Sequence, residues 1–221
     1  MQKNITRNKI FNARRILAAM GIIAFSTITV IIAKANHKGP MMPVPEYRIS
    51  GADGNSKPIL EIYEYTDLAC PACAIANISI TDIIGLYGDK IKLHFKHFPL
   101  AMHKWSEKAA LYADCAGEQG QFFPYARMLF ENQEKWTESE TEPKEFIIYA
   151  ELLSLDKEKM QICLQNTVNQ ERIKLEKAEG KDKGIEGTPA FFINGKFRMG
   201  AEAVIEEAKK IENKLLQEKR K

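Results

Sequence analysis

The chain has 221 residues, 45% hydrophobic and 28% charged, with 13 Gly, 9 Pro and 4 Cys. This excludes collagenous, low-complexity and disordered chains and a disulfide-scaffolded miniprotein, and it leaves room for one good core or two. The net charge of +3 belongs to residues 1–40, which carry seven Lys/Arg and no acid; residues 41–221 hold 25 basic against 29 acidic groups, without the clustered basic face of a nucleic-acid binder.

Lys3, Arg7, Lys9, Arg14 and Arg15 precede 18 uncharged residues, Ile16 to Ala33. A basic stretch followed by an apolar one is an export pattern, and the charge bias keeps the N-terminus cytoplasmic. Ala33-Lys34-Ala35 offers small residues to a signal peptidase, yet 18 apolar residues nearly reach spanning length. Residues 1–40 therefore read as a cleaved signal or a retained anchor. Either way the body is placed outside the cytoplasm, where disulfides persist.

A Pro-rich spacer follows, with a short strand at Tyr47–Ile49 and a turn-rich GADGNSKP. Ile59–Tyr65 reads as a strand with Leu60, Ile62 and Glu64 on one face. After TDLACPAC a helix runs to about Tyr87, with Ile75, Ile78, Asp82/Ile83 and Leu86 as a stripe with one polar interruption and Gly88 as its stop. Ile91, Leu93, Phe95 and His97 alternate as a buried strand. Residues 105–180 carry no strand signal; they break into helical pieces at 106–118, 122–132, 144–153, 157–166 and 168–179, with Ser106 and Asp156 as N-caps. Met102, Met128 and Met160 read as core or gap-filling side chains. PAFFI, Asn194-Gly195 and KFRM form a hairpin. A last helix spans about 202–218, with Val204, Ile205, Ala208, Ile211, Leu215 and Leu216 on one face. A strand–helix–strand unit and a later hairpin and helix thus share one sheet, and the helical block is an excursion between them.

The chemistry-bearing motif is Cys70-Pro71-Ala72-Cys73, at a strand-to-helix junction. Pro71 suits the first helical turn and leaves Cys70 at the helix N-terminus, where free N–H groups and the helix dipole stabilise a thiolate. This makes Cys70 the attacking sulfur that forms a mixed disulfide and Cys73 the more buried, resolving thiol. Glu64, six residues before Cys70, is either a buried carboxyl able to exchange a proton with a buried thiol or an edge-exposed residue of a short strand. Thr188-Pro189 opens an apolar strand, which calls for a bulge, an edge or a cis turn.

These features resemble the thioredoxin superfamily and, within it, the DsbA-like thiol:disulfide oxidoreductases. The match is carried by EYTDLACPAC at 64–73, KHFPL at 96–100, CAGEQGQFF at 115–123 and GTPAFFINGK at 187–196. The resemblance implies an α/β thioredoxin fold, a central mixed sheet flanked by helices, in two parts (41–104 and 181–221) with an inserted all-helical domain at 105–180. It implies a cis Pro189 facing Cys70, Thr188 contacting substrate backbone, and Glu64 as the buried acid. It further implies action on exported polypeptide thiols and disulfides, in the periplasm or on the extracytoplasmic face of a bacterial membrane, with a membrane redox partner. The dipeptide Pro71-Ala72 departs from the Pro-His of strongly oxidising members; Ala72 has no side-chain donor for the Cys70 thiolate, so a less oxidising couple is expected. A reductase or isomerase would use the same residues, and a peptide-binding or chaperone module is the non-catalytic alternative.

Four cysteines allow three pairings; with 70 and 73 paired, Cys115 and Cys163 either form a structural disulfide or pack as free apolar residues. His94 and His97, three apart on a strand, point to opposite faces and do not easily share a metal with the cysteines. No phosphate-cradling Gly loop or nucleophile elbow is present, and no cofactor or metal is expected.

Overall fold

A computed structural model describes residues 40–52 and 58–218. The export segment expected at 1–40 lies, except for Pro40, outside the described residues. Among those described, no helix is long and apolar enough to cross a membrane.

The chain enters through a 3-10 turn, Glu46–Arg48, and the short strand β1, Ile49–Gly51, two residues later than the sequence predicts. β2 (Leu60–Thr66), β3 (Ile91–His97), β4 (Ala190–Ile193) and β5 (Lys196–Met199) complete a sheet of order β1-β3-β2-β4-β5. β2 and β3 are parallel, with Glu64 opposite Phe95; the other pairs are antiparallel, with Glu64 opposite Phe191 across β2 and β4. The mixed sheet arises because β2 reaches β3 through a crossover helix, α1 (Pro71–Tyr87), whereas β4 and β5 are joined by the two-residue turn Asn194-Gly195. Both turn residues have positive φ, 48° and 76°, the geometry that Asn-Gly favours. The Asn194 side chain also bonds the start of β2, accepting from Glu61 N–H at 2.9 Å and donating to the Ile59 carbonyl at 3.0 Å.

One face of the sheet buries Leu60, Ile62, Ile91, Leu93, Phe191 and Ile193 against Ala76, Ile80 and Ile83 of α1 and Val204 of the last helix. The stripe Ile75, Ile78 and Leu86, expected to face inward, is 59%, 63% and 74% exposed, whereas Cys73, Ala76, Ile80 and Ile83 are buried. The helix is apolar nearly all round, so periodicity does not choose its inner face. The side that packs on the sheet carries Ala76, Ile80 and Ile83. Gly88 is also not a left-handed stop; its φ is −52°, and it opens a 3-10 turn, Gly88–Lys90.

Between β3 and β4 the described chain is helical: α2 (Ser106–Gly117), α3 (Phe122–Glu131), α4 (Gln133–Trp136), α5 (Glu145–Leu152), α6 (Lys157–Gln165) and α7 (Thr167–Asp182). Asp156 caps α6 by accepting from Lys159 N–H at 3.0 Å. Ser106 is not a cap; Trp105 holds that position, and the Ser106 hydroxyl is drawn to Asp67. Met160 is buried, but Met102 is 82% exposed on the loop before α2, correcting its assignment to the core. In α8 (Glu202–Glu218) Val204 is buried and Ile205 is 37% exposed; the side chains of Ala208, Ile211, Leu215 and Leu216 lie outside those described.

The helices are fixed to the sheet by a buried ionic knot. Arg48 pairs with Asp114 of α2 at 2.7 Å and with Glu176 of α7 at 2.7 Å, and Glu176 also accepts His97 N–H at 2.8 Å. Lys96 pairs with Glu179, which accepts Met42 N–H at 2.6 Å. All three charges of the Arg48 knot are fully buried, so each is tolerable only because its partners are present. α7 lies close to the sheet at Gly180, where an added Cβ would stand 2.6 Å from the Phe98 ring.

Candidate active site

β2 ends at Thr66, and Asp67, Leu68 and Ala69 turn the chain into α1. Cys70 is the N-cap residue, with extended φ and ψ of −82° and 121°, and Pro71 occupies the first turn, where no N–H is needed. Both Cys70 and Cys73 are free thiols. Cys70 retains 7% exposure and Cys73 none, so the site offers a single sulfur at the surface, and only narrowly. The cysteines belong to the same apolar cluster as Trp136, Tyr125 and Phe146. The core of the helical insert therefore extends to the turn that carries Cys70.

The two thiols are driven apart in acidity. Cys70 is lowered from 9.0 to about 5, first by the Cys73 thiol, then by Thr188 and the backbone N–H groups of Cys73 and Ala72, against a desolvation that acts upward. The helix N-terminus thus contributes, but its neighbour sulfur contributes most, a cause that the sequence argument leaves out. Cys73 moves the opposite way, far above the usual thiol range, chiefly through burial and then through the Cys70 sulfur. One thiolate shared between two adjacent sulfurs resides on the better solvated one.

The Thr188–Pro189 bond is cis, and the Cys70 thiol lies 3.5 Å from the Thr188 carbonyl oxygen. Residues 118 positions apart thereby meet at the sulfur. The Thr188 hydroxyl is buried with no hydrogen-bond partner among the described residues.

Glu64 is wholly buried, which decides between the two positions that periodicity leaves open. It lies on the Leu60/Ile62 face, toward the helix that carries Cys73. Neither carboxyl oxygen has a hydrogen-bond partner among the described residues, and the same is true of the Thr66 hydroxyl. Burial pushes the Glu64 carboxyl up from 4.5 to about 8. Glu64 is therefore mostly protonated at neutral pH, with its midpoint close enough that it is able to donate or accept a proton.

Residues that the sequence argument does not single out hold the turn in place. The Asp67 carboxylate accepts from Ala69 N–H and Leu100 N–H, both at 2.8 Å, and from the Ser106 hydroxyl; His103 Nδ1 lies 2.8 Å from it. Its carbonyl accepts Cys70 N–H at 3.0 Å. The Gln133 side-chain amide donates to the carbonyls of Leu68 and Cys70, at 2.8 and 3.0 Å. In the sequence Asp67 looks like an ordinary turn former and Gln133 like part of a polar run; their long-range partners lie 33 to 65 positions away. The adjacency of Asp67 to the CPAC motif is the only local signal.

Cys115 and Cys163 are joined, S–S 2.02 Å, tying α2 to α6. His94 stacks on Tyr63, centroids 4.2 Å apart, and meets Glu61 at 3.1 Å, whereas His97 meets Asp114 at 3.3 Å. The two histidines thus serve different carboxylates on opposite faces. Among the described residues no group of three or more His, Cys, Asp and Glu is set to hold a metal.

Comparison with known proteins places this geometry. A thioredoxin family model matches residues 50–213. Among solved structures the chain resembles alpha-DsbA1 of Wolbachia pipientis (TM-score 0.67, 22% identity, 80% of this chain and 96% of that one). It also resembles DsbA2 of Pseudomonas aeruginosa (TM-score 0.60, 23% identity, 76% and 94%). In sequence it is 30% identical over 163 residues to the Na(+)/H(+) antiporter NhaA 1 of Salinispora arenicola, a match covering 73% of this chain but only 24% of that protein. The chain therefore spans about a quarter of such curated relatives. With a thioredoxin model covering most of its length, and with the helix-inserted architecture of the DsbA structures, the chain belongs to the thioredoxin family.

Proposed function

We propose that this chain is a protein thiol:disulfide oxidoreductase that forms disulfides in exported polypeptides through the Cys70–Cys73 couple. The observation that carries this reading is the asymmetric thiol pair at the start of α1, its acidic member facing the Thr188 carbonyl.

In the oxidised protein a substrate thiolate attacks Cys70 Sγ. The Cys70–Cys73 bond breaks, a substrate–Cys70 mixed disulfide forms, and Cys73 departs with the electron pair and takes up a proton. A second substrate thiolate then attacks its own sulfur in the mixed disulfide, and Cys70 leaves as the stabilised thiolate. The substrate has lost two electrons and the protein has gained them. A low leaving-group pKa speeds this release and favours the dithiol form. Glu64, held near neutrality, supplies the proton to Cys73 and removes it when the couple is reoxidised. Thr188 and Pro189 form the wall against which substrate backbone lies. A membrane redox partner reoxidises the dithiol.

The basic and apolar leader at 1–40 supports an extracytoplasmic site of action, cleaved or anchored. The absence of a side-chain donor at Ala72 supports a couple less oxidising than a Pro-His one. A reductase or isomerase uses the same residues in reverse. Oxidation of reduced ribonuclease and reduction of insulin, each with Cys70→Ala as control, test the reading. Activity unchanged in the control removes Cys70 from the mechanism, and a clear preference for insulin reduction reverses the direction.

A further inference from the structure

We propose that Gln133 is a positioning residue: through its side-chain amide the helical insert competes for the Cys70 carbonyl and so loosens that carbonyl's hold on the Cys73 N–H, which sits beside the Cys70 sulfur. The inference rests on the reading of Cys70 as the reactive thiolate and goes beyond it by naming how the insert acts on that sulfur.

Donors outnumber lone pairs at the Cys70 carbonyl. A carbonyl oxygen has two acceptor sites. Three N–H groups converge on the Cys70 carbonyl: Cys73 at 3.0 Å, Ala74 at 3.2 Å and Gln133 Nε2 at 3.0 Å. The Ala74 bond is the first of the helical ladder. The Cys73 N–H is the one with a second acceptor in reach, since it is also among the groups that stabilise the Cys70 thiolate. An amide that fills a carbonyl site weakens the claim of the Cys70 carbonyl on that N–H. The same amide bonds the Leu68 carbonyl at 2.8 Å, so it spans the turn rather than touching it at one point.

Gln133 is itself held firmly. Its carbonyl accepts Thr137 N–H at 3.0 Å and the Thr137 hydroxyl at 2.9 Å. Three residues on, Trp136 is fully buried and donates to the Leu129 carbonyl at 2.9 Å. The amide is thus anchored in the insert's core and aimed at the active-site turn. Because a disulfide carries no thiolate to stabilise, the effect favours the dithiol form over the disulfide.

The test is Gln133→Met, which keeps length and volume but removes both donors. The full chain is titrated by thiolate absorbance and equilibrated with glutathione, in which protein disulfide and two glutathione thiols give protein dithiol and one glutathione disulfide. The expected result is a Cys70 midpoint raised by about half to one pH unit and a glutathione equilibrium constant about three- to tenfold lower. Gln133→Glu, which sets a carboxylate against two carbonyls, moves both readings further the same way. A role confined to stability would lower the melting temperature and leave midpoint and equilibrium constant unchanged, and that result overturns the inference. If Q133M fails to fold, the isotope-labelled wild type decides: the Gln133 side-chain amide resonances must shift with the Cys70 titration, and constancy overturns the proposal. An unacidified Cys70 in the wild type would instead sink the functional reading itself.

Discussion

Glu64→Gln is expected to make the protein more stable, by an amount that grows with pH. Glu64 is wholly buried and its carboxyl is held up at about 8, against 4.5 when free. The folded state therefore keeps a proton that the unfolded chain gives up, and the associated stability is fully present below 4.5 and lost as pH rises toward 8. Each pH unit in that window costs about 1.4 kcal/mol. At pH 7 the penalty is about 3 kcal/mol and above pH 8 about 5 kcal/mol, both order-of-magnitude figures. Glutamine fills the same space and never ionises, so it escapes the cost. Urea denaturation of wild type and E64Q, both as dithiols, should give equal stabilities near pH 4 and a gap that opens with a slope of about 1.4 kcal/mol per pH unit. Other titrating groups are common to both proteins and cancel in the difference. A gap that stays constant with pH, or widens toward acid, refutes the reasoning. The gain in stability should accompany slower closure of the Cys70 mixed disulfide by Cys73, because the proton acceptor is gone.

Cys73→Ala should raise the Cys70 titration midpoint, since the neighbouring thiol is the largest influence lowering it; a midpoint still short of 9.0 is expected because the backbone N–H groups remain. Thiolate absorbance against pH checks this, and a midpoint unmoved from about 5 would assign the acidity to the helix alone. Replacing Cys115 and Cys163 together by Ala opens a cross-link of sequence separation 48 and should cost about 4 kcal/mol in denaturant unfolding. Arg48→Met strands Asp114 and Glu176 in the interior without their counter-charge and should cost about 3–5 kcal/mol, read by thermal and urea melts; a loss under 1 kcal/mol would show that water reaches the knot.

The fold is largely written in local signals. Alternation marks β2 and β3, Asn194-Gly195 marks the hairpin, and five of the six helices described from 106 to 182 fall within about three residues of their predicted bounds, the short α4 (Gln133–Trp136) having no counterpart in the sequence reading. What the sequence conceals is the choice of face and the long-range polar contact. α1 spreads its apolar residues around its circumference, so periodicity does not single out the inner stripe of Ala76, Ile80 and Ile83 from the exposed Ile75 and Ile78. The core motif of the site, CPAC, is legible because backbone geometry and chemistry coincide there. Asp67, Gln133 and Arg48 are not, because each gains meaning only from partners brought close by tertiary folding. A buried arginine and an exposed one are spelled alike.

The order of strands also bears on the protein's birth. β2 is already made when Cys70 is synthesised, but the strand it must pair with antiparallel, and the Thr188 carbonyl that faces the sulfur, follow 118 residues later. A growing chain therefore emerges with its reactive cysteines uncovered while the whole insert is still being translated. Until β4 docks, Cys70 and Cys73 lack the carbonyl that will face them and lie open to whatever thiols surround the nascent chain.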